Sequence, residues 1–315
     1  MDILYSMLAL TLIYSTPIII TAIGGMFSER SGVVNIALEG MMMIGGFTAA
    51  TTIVFLEGTT SFAPWMSLLI GALAGGLISV IHAYLSIHLS SDQVISGTAI
   101  NILAGGLTIY LSQIIFGQQR TQTFRQGFVK RTYSGLSEIP IIGKIFFTNM
   151  YPTVFLALAL VLISWYVLYK TPFGLRLRAT GEHPHAVDSM GISVYKMRYI
   201  GVILSGCLAG LGGGVMVLTQ DTQFTIMSIH GTGFIALAAL IFGKWKPLGL
   251  LGASLFFGFS QILSIYSTSI GFLSKLPMEY FKALPYVLTV IALVVFSNKA
   301  VGPKAAGEPY DKGQR

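Results

Sequence analysis

Residues 28–47, Ser28 to Phe47, read SERSGVVNIALEGMMMIGGF. The run is apolar enough for a membrane, yet it holds Asn35 and Glu39 between glycines. A carboxylate at mid-membrane costs at least about 2.5 kcal/mol. Glu39 must therefore turn away from lipid, toward the bundle interior, a cavity or a partner. On a continuous helix Ser31, Asn35 and Glu39 recur at i, i+4 and i+8 and share one face, opposite the apolar Val33, Ile36, Ala37 and Met41. Gly32, Gly40, Gly45 and Gly46 invite a break in the same run. Two readings of Glu39 stand at this point: a buried carboxyl that braces a helix break, or a group that lines a path.

The rest of the chain sets that stretch in a membrane. Of 315 residues 54% are hydrophobic and 10% charged, and the mean hydropathy is +0.76. Soluble domains carry about 25% charged residues. Apolar runs of the ~18–20 residues that cross a bilayer recur along the sequence. The ~10-residue alternating segments of a membrane β-barrel do not. The expected fold is all-α, a polytopic transmembrane helical bundle of about 8–10 spans with broken or re-entrant helices. Spans are predicted near 3–27, 32–56, 63–88, 94–116, 152–169, 197–218, 232–243, 247–269 and 282–297, a working count of nine. The N-terminal segment lacks the basic start of a signal peptide and reads as part of the first span. The run at 232–243 is too short to cross alone, and reads as a re-entrant half-helix or as the end of a span begun near Met227. Gly71-x-x-x-Gly75, Gly206-x-x-x-Gly210 and Gly210-x-x-x-Gly214 predict close helix packing.

Charge orients the bundle. With the 170–196 loop placed in the cytoplasm and the spans alternating, twelve Lys and Arg residues lie inside and seven outside. That bias favours this orientation, although the outer 117–151 loop is itself basic. The N-terminus then faces out and the 299–315 tail faces in. The tail is polar, contains Pro and Gly, and is expected to be disordered. The net charge of +7 reflects these loops and implies no nucleic-acid polymer as partner. A single cysteine, Cys207, excludes internal disulfides and cysteine-rich metal sites.

Three further stretches carry polar groups that need a purpose. Gln223–Pro247 holds His230, Gly231 and Gly233, a short apolar run and a basic turn, a plan loosely like that around Glu39. Paired helix breaks of this kind mark the solute site of many transporters. Ser90–Gln113 brings Asn101, Thr108 and Gln113 into a span, where they either glue helices or line a path. In the 170–196 loop Pro184 can start a short helix that Gly191 stops, a docking element or a topology-fixing loop. Glu182, His183 and His185 beside Pro184 make a poor metal set, and no metal site is expected. The sequence contains no G-x-x-x-x-G-K-[ST] phosphate loop and no hydrolytic triad. The chain is therefore expected to be no enzyme, and to equilibrate a solute, couple it to an ion, or borrow force from another subunit.

Gly24–Phe47, Gly174–Met216 and Gly233–Gly249 together resemble the integral-membrane permease subunits of bacterial ABC importers, in the branch of ribose-type and branched-chain amino acid permeases. The chain looks most similar to the simple sugar and nucleoside permeases that work with nucleoside-binding lipoproteins, and the resemblance spans about residues 5–298. It implies a permease domain over 1–298 in the plasma membrane, with the coupling loop at about 170–196. It implies that Glu182, His183, Pro184, His185, Ala186, Asp188 and Gly191 dock on a cytoplasmic ABC ATPase, which holds the ATP and Mg. This chain itself would carry no cofactor. A second homologous permease would complete the pore as a heterodimer, and an extracytoplasmic binding lipoprotein would deliver a nucleoside, or a simple sugar, to the outer mouth. Asn35, Glu39, Asn101 and His230 are the candidates for the translocation path. His183, His185 and Lys246 depart from the family's usual residues. The competing expectation is an ion-coupled secondary transporter of a small polar solute.

Overall fold

Proline opens many of the helices and fixes their starts. It occupies the first turn of the helices that begin at Pro152, Pro172, Pro184 and Pro247, where its missing N–H is not needed. Asp92 caps another helix, its Oδ1 accepting from the N–H groups of Val94 and Ile95 at 2.8 and 3.0 Å. Gly117, at φ +68°, ends that helix. The computed structural model describes residues 2–125, 127–267 and 302–313, with residues 280, 283, 287 and 290 singly between them. The predicted span at 282–297 lies outside the described residues.

The described residues form α1 (Asp2–Arg30), α2 (Leu38–Leu56), α3 (Ala63–Ile87), α4 (Gln93–Phe116), α5 (Pro152–Lys170), α6 (Pro172–Glu182), α7 (Pro184–Ser189), α8 (Val194–Gln220), α9 (Thr232–Phe242) and α10 (Pro247–Tyr266). Seven of them, all but α6, α7 and α9, are long and apolar enough to cross a membrane. This is a multi-pass helical membrane protein.

α8 is the hub, packed against α1, α2 and α3. The small-residue motifs make this possible. A Cβ on Gly210 would lie 2.5 Å from the carbonyl oxygen of Gly71 and 3.0 Å from the Cα of Gly75, so the α3 and α8 backbones touch. Gly45 and Gly46 were expected to invite a break, and Gly40 with them. All three instead lie within α2, and the first two face α8, where a Cβ on Gly45 would lie 2.3 Å from the Gly210 backbone and one on Gly46 3.1 Å from Val217.

The chain does break at 31–37, between α1 and α2, with Gly32 at φ +95°. The shared helix face of Ser31, Asn35 and Glu39 is therefore not formed. Only Glu39 is helical. At the C-terminal end of α8 Thr121, Phe124 and Phe128 donate backbone N–H groups to the carbonyls of Phe224, Thr222 and Leu218.

The tail also differs from its expectation. Residues 302–313 are folded against the end of the bundle where α1 and α6 finish. Ala305 donates to the carbonyl of Gly181 at 2.8 Å, and Ala305 and Tyr310 are each only 4% exposed. Composition missed this because one aromatic ring and a few paired backbone groups suffice to dock a short polar segment.

Candidate functional site

The break leaves buried backbone N–H and C=O groups with no partner within a helix, and such groups must be paired elsewhere. Here neighbouring helices supply the partners. The N–H of Val34 donates to Gln93 Oε1 at 2.7 Å, and the carbonyl of Val34 meets His82 Nε2 at 3.0 Å. Asn101 serves two groups at once: its Nδ2 donates to the carbonyl of Ile36 at 3.0 Å, and its Oδ1 accepts from the N–H of Gly40 at 2.7 Å. Asn35, fully buried, donates through Nδ2 to Ser205 Oγ at 2.8 Å on α8 and accepts from the N–H of Ala37 at 3.1 Å. Ser28 Oγ donates to the carbonyl of Val33 at 2.7 Å.

Glu39 links this break to the second one. α9 has 11 residues, a rise of about 16 Å, half of a hydrocarbon core about 30 Å thick. Its C-terminal end leads into the basic turn of Lys244 and Lys246. The N-terminus of α9 is reached through His230 and Gly231, at φ +49° and +81°. Glu39 Oε1 accepts from the N–H of Gly231 and Oε2 from the N–H of Gly233, both at 2.7 Å. The carboxyl thus caps free N–H groups at the positive end of a helix dipole. Gly233 lets α2 come this near, since a Cβ there would sit 2.6 Å from the backbone of Glu39.

Of the four path candidates, Asn35, Glu39 and Asn101 are thus brought together around the break, with hydrogen bonds to protein. His230 is adjacent to α9 and exposed. At the C-terminal end of α8, burial raises the Asp221 carboxyl above its ordinary range, with a hydrogen bond from Ser228 opposing the shift.

At the end of α1 Arg30 donates through Nε and Nη2 to the carbonyl of Trp245, at 3.2 and 3.0 Å. Trp245 Nε1 donates in turn to Glu29 Oε2 at 2.5 Å. Arg30 also lies 3.9 Å from Glu182 Oε1. The end of α1, the α9–α10 turn and the end of α6 are tied at one point. Beyond that point α6 and α7 project. Among residues 182–191, His183, His185, Ala186 and Gly191 are exposed, and Glu182, Pro184 and Asp188 are half-buried. Gly191, at φ +75°, follows α7 as foreseen. Val187 anchors α7 inward, and Met190 is 79% exposed beside the helix. No cluster of three or more His, Cys, Asp or Glu that could hold a metal exists among the described residues.

Sequence reading missed His82, Gln93, Glu29, Trp245 and Met190. Glu29 falls between the predicted spans 3–27 and 32–56. His82 carried a signal, since an ionisable residue within a span needs a partner. Nothing in the sequence said which one.

The described residues thus form a multi-pass membrane bundle with buried polar groups at a backbone break and a short exposed helix at one end. The chain belongs to the family described as the branched-chain amino acid transport system permease component, whose sequence model matches residues 7–293. It is similar to the guanosine ABC transporter permease protein NupQ of Bacillus subtilis, with 53% identity covering 97% of this chain and 96% of that protein. It is 44% identical to the nucleoside ABC transporter permease protein NupC of Lactococcus lactis, covering 96% of both chains. It is 26% identical to a second guanosine permease of Bacillus subtilis, NupP, covering 91% of this chain and 80% of that one.

Proposed function

We propose that this chain forms one half of the membrane pathway of an ATP-driven ABC importer of nucleosides. The observation that carries the reading is the full-length similarity to permeases named for guanosine and nucleosides. The short exposed helix α7, set on the side that the basic residues assign to the cytoplasm, fits with it. In this reading a cytoplasmic ABC ATPase, holding ATP and Mg, grips α7. His183, His185, Ala186 and Gly191 form its contact surface, and Met190 adds an apolar knob. A second, more distant permease completes the pore, as the presence of both NupQ and NupP in Bacillus subtilis suggests. A substrate-binding lipoprotein delivers the nucleoside from outside.

The path candidates then divide by role. Asn35, Glu39 and Asn101 keep the broken segment in shape. His230, exposed beside the N-terminal end of α9, is the member placed to meet a solute. Reconstitution of the chain with its ATPase, second permease and binding protein in proteoliposomes tests the proposal. Labelled guanosine should enter only with ATP on the ATPase side. Uptake that proceeds without ATP and follows an ion gradient would overturn it.

A further inference from the structure

The tail packs on the helix that the ATPase is proposed to grip. Tyr310 sits against His185 of α7 and Tyr195 of α8, with ring centroids 5.1 and 5.5 Å apart. It shares a small apolar cluster with Val187 and Val194, so its ring joins the inward side of α7 to the first turn of α8. The rest of the tail is tied by its backbone. Ala305 donates to the carbonyl of Gly181 at the end of α6, and Gly307 donates to the carbonyl of Gly32 in the α1–α2 break at 3.3 Å. The carbonyl of Glu308 accepts from Arg198 Nη1 of α8 at 3.0 Å. Arg198 is 1% exposed, and burying its guanidinium so deeply demands such an acceptor.

These contacts reach α6, α7, α8 and the break at once. α7 has six residues, too few to hold a helix by its own hydrogen bonds. Its inward contacts otherwise rest on Val187. A helix meant to transmit force must be rigid where it is pushed, and Tyr310 supplies the missing wall.

We propose that residues 302–313 are a strap that positions the coupling helix, with Tyr310 as its anchoring residue, so that the tail belongs to the coupling machinery. The proposal rests on the importer reading for its transport consequence and on the strap's own geometry for its structural one. Two readouts on the assembled transporter in nanodiscs keep these apart. The first is amide hydrogen exchange across residues 184–190. The second is guanosine uptake per ATP hydrolysed in proteoliposomes.

Tyr310→Ala should speed exchange in α7 while leaving mid-α8 unchanged. Loss of its aromatic contacts should cut uptake per ATP about tenfold. Tyr310→Phe, which keeps the ring, should stay near wild type. Ala305→Pro removes the N–H donated to Gly181 and also restricts the backbone at Lys304 and Ala305, so it loosens the strap away from Tyr310 and should reproduce the Tyr310→Ala result, which covers the case of an alanine variant that fails to assemble. Unchanged α7 exchange in both variants, or unchanged uptake per ATP with faster exchange, overturns the proposal. If the wild-type complex shows no ATP-dependent uptake, the importer reading fails, and the exchange comparison still decides whether the strap holds α7.

Discussion

Glu39 meets two backbone donors with two acceptor oxygens. A carboxamide offers one acceptor and would turn its NH2 toward the second N–H. Glu39→Gln should therefore destabilise the protein. The loss expected from one unmet buried donor is about 1–3 kcal/mol. Thermal unfolding in detergent, followed by intrinsic fluorescence, should show a lower midpoint than wild type. A midpoint equal to or above wild type would mean that the two N–H contacts contribute nothing. The sequence could place a costly acid here, but not its partner. The donors are glycine N–H groups more than 190 positions away, and a backbone donor leaves no residue-type signal.

Among the elements, α7 and α9 are short for opposite reasons. α9 is a half-helix whose free end is capped by Glu39. α7 is a surface helix that exposes most of its area. Ala186 lies on the exposed side, so a long charged side chain there fits without disturbing the bundle. Ala186→Arg should leave yield and thermal midpoint within about 0.5 kcal/mol of wild type, yet abolish guanosine uptake by the reconstituted transporter. Retained uptake would remove α7 from the coupling path.

Element type and position were largely legible in the sequence. Long apolar runs announce spans, Pro184 and Gly191 bracket α7, and the shortness of the 232–243 run leaves a half-helix or the end of a span begun near Met227. The internal geometry of 31–39 was not. Periodicity reads a helix wherever apolar spacing allows one, and here side chains of α3 and α4 make the unwound backbone affordable. The tail was misread for a related reason: composition averages over a segment and gives no special weight to one well-placed tyrosine.

For the whole molecule, the glycine contacts among α2, α3 and α8 decide how near the central helices can stand. Gly210→Val would drive a side chain into the carbonyl of Gly71 and the backbone of Gly75, and overpacking of this kind costs about 1–3 kcal/mol or more. Gly106→Val places its side chain in open space and serves as the control. The first variant should elute aggregated or with a depressed midpoint in size-exclusion and thermal assays, and the second should match wild type. Equal behaviour of the two would show that the α3–α8 contact is loose. The break between α1 and α2 also sets a timetable for synthesis. The side chains that satisfy its backbone lie 48 to 65 positions further along, on α3 and α4. The donors for Glu39 come 192 and 194 positions later. At about 5–20 residues per second, a nascent chain carries that acid into the membrane roughly 10–40 seconds before its partners are made. Until α9 arrives, Glu39 must be sheltered by the insertion machinery or by water, and a ribosome stalled after α8 would leave a membrane protein with an unanswered carboxyl for quality control to find.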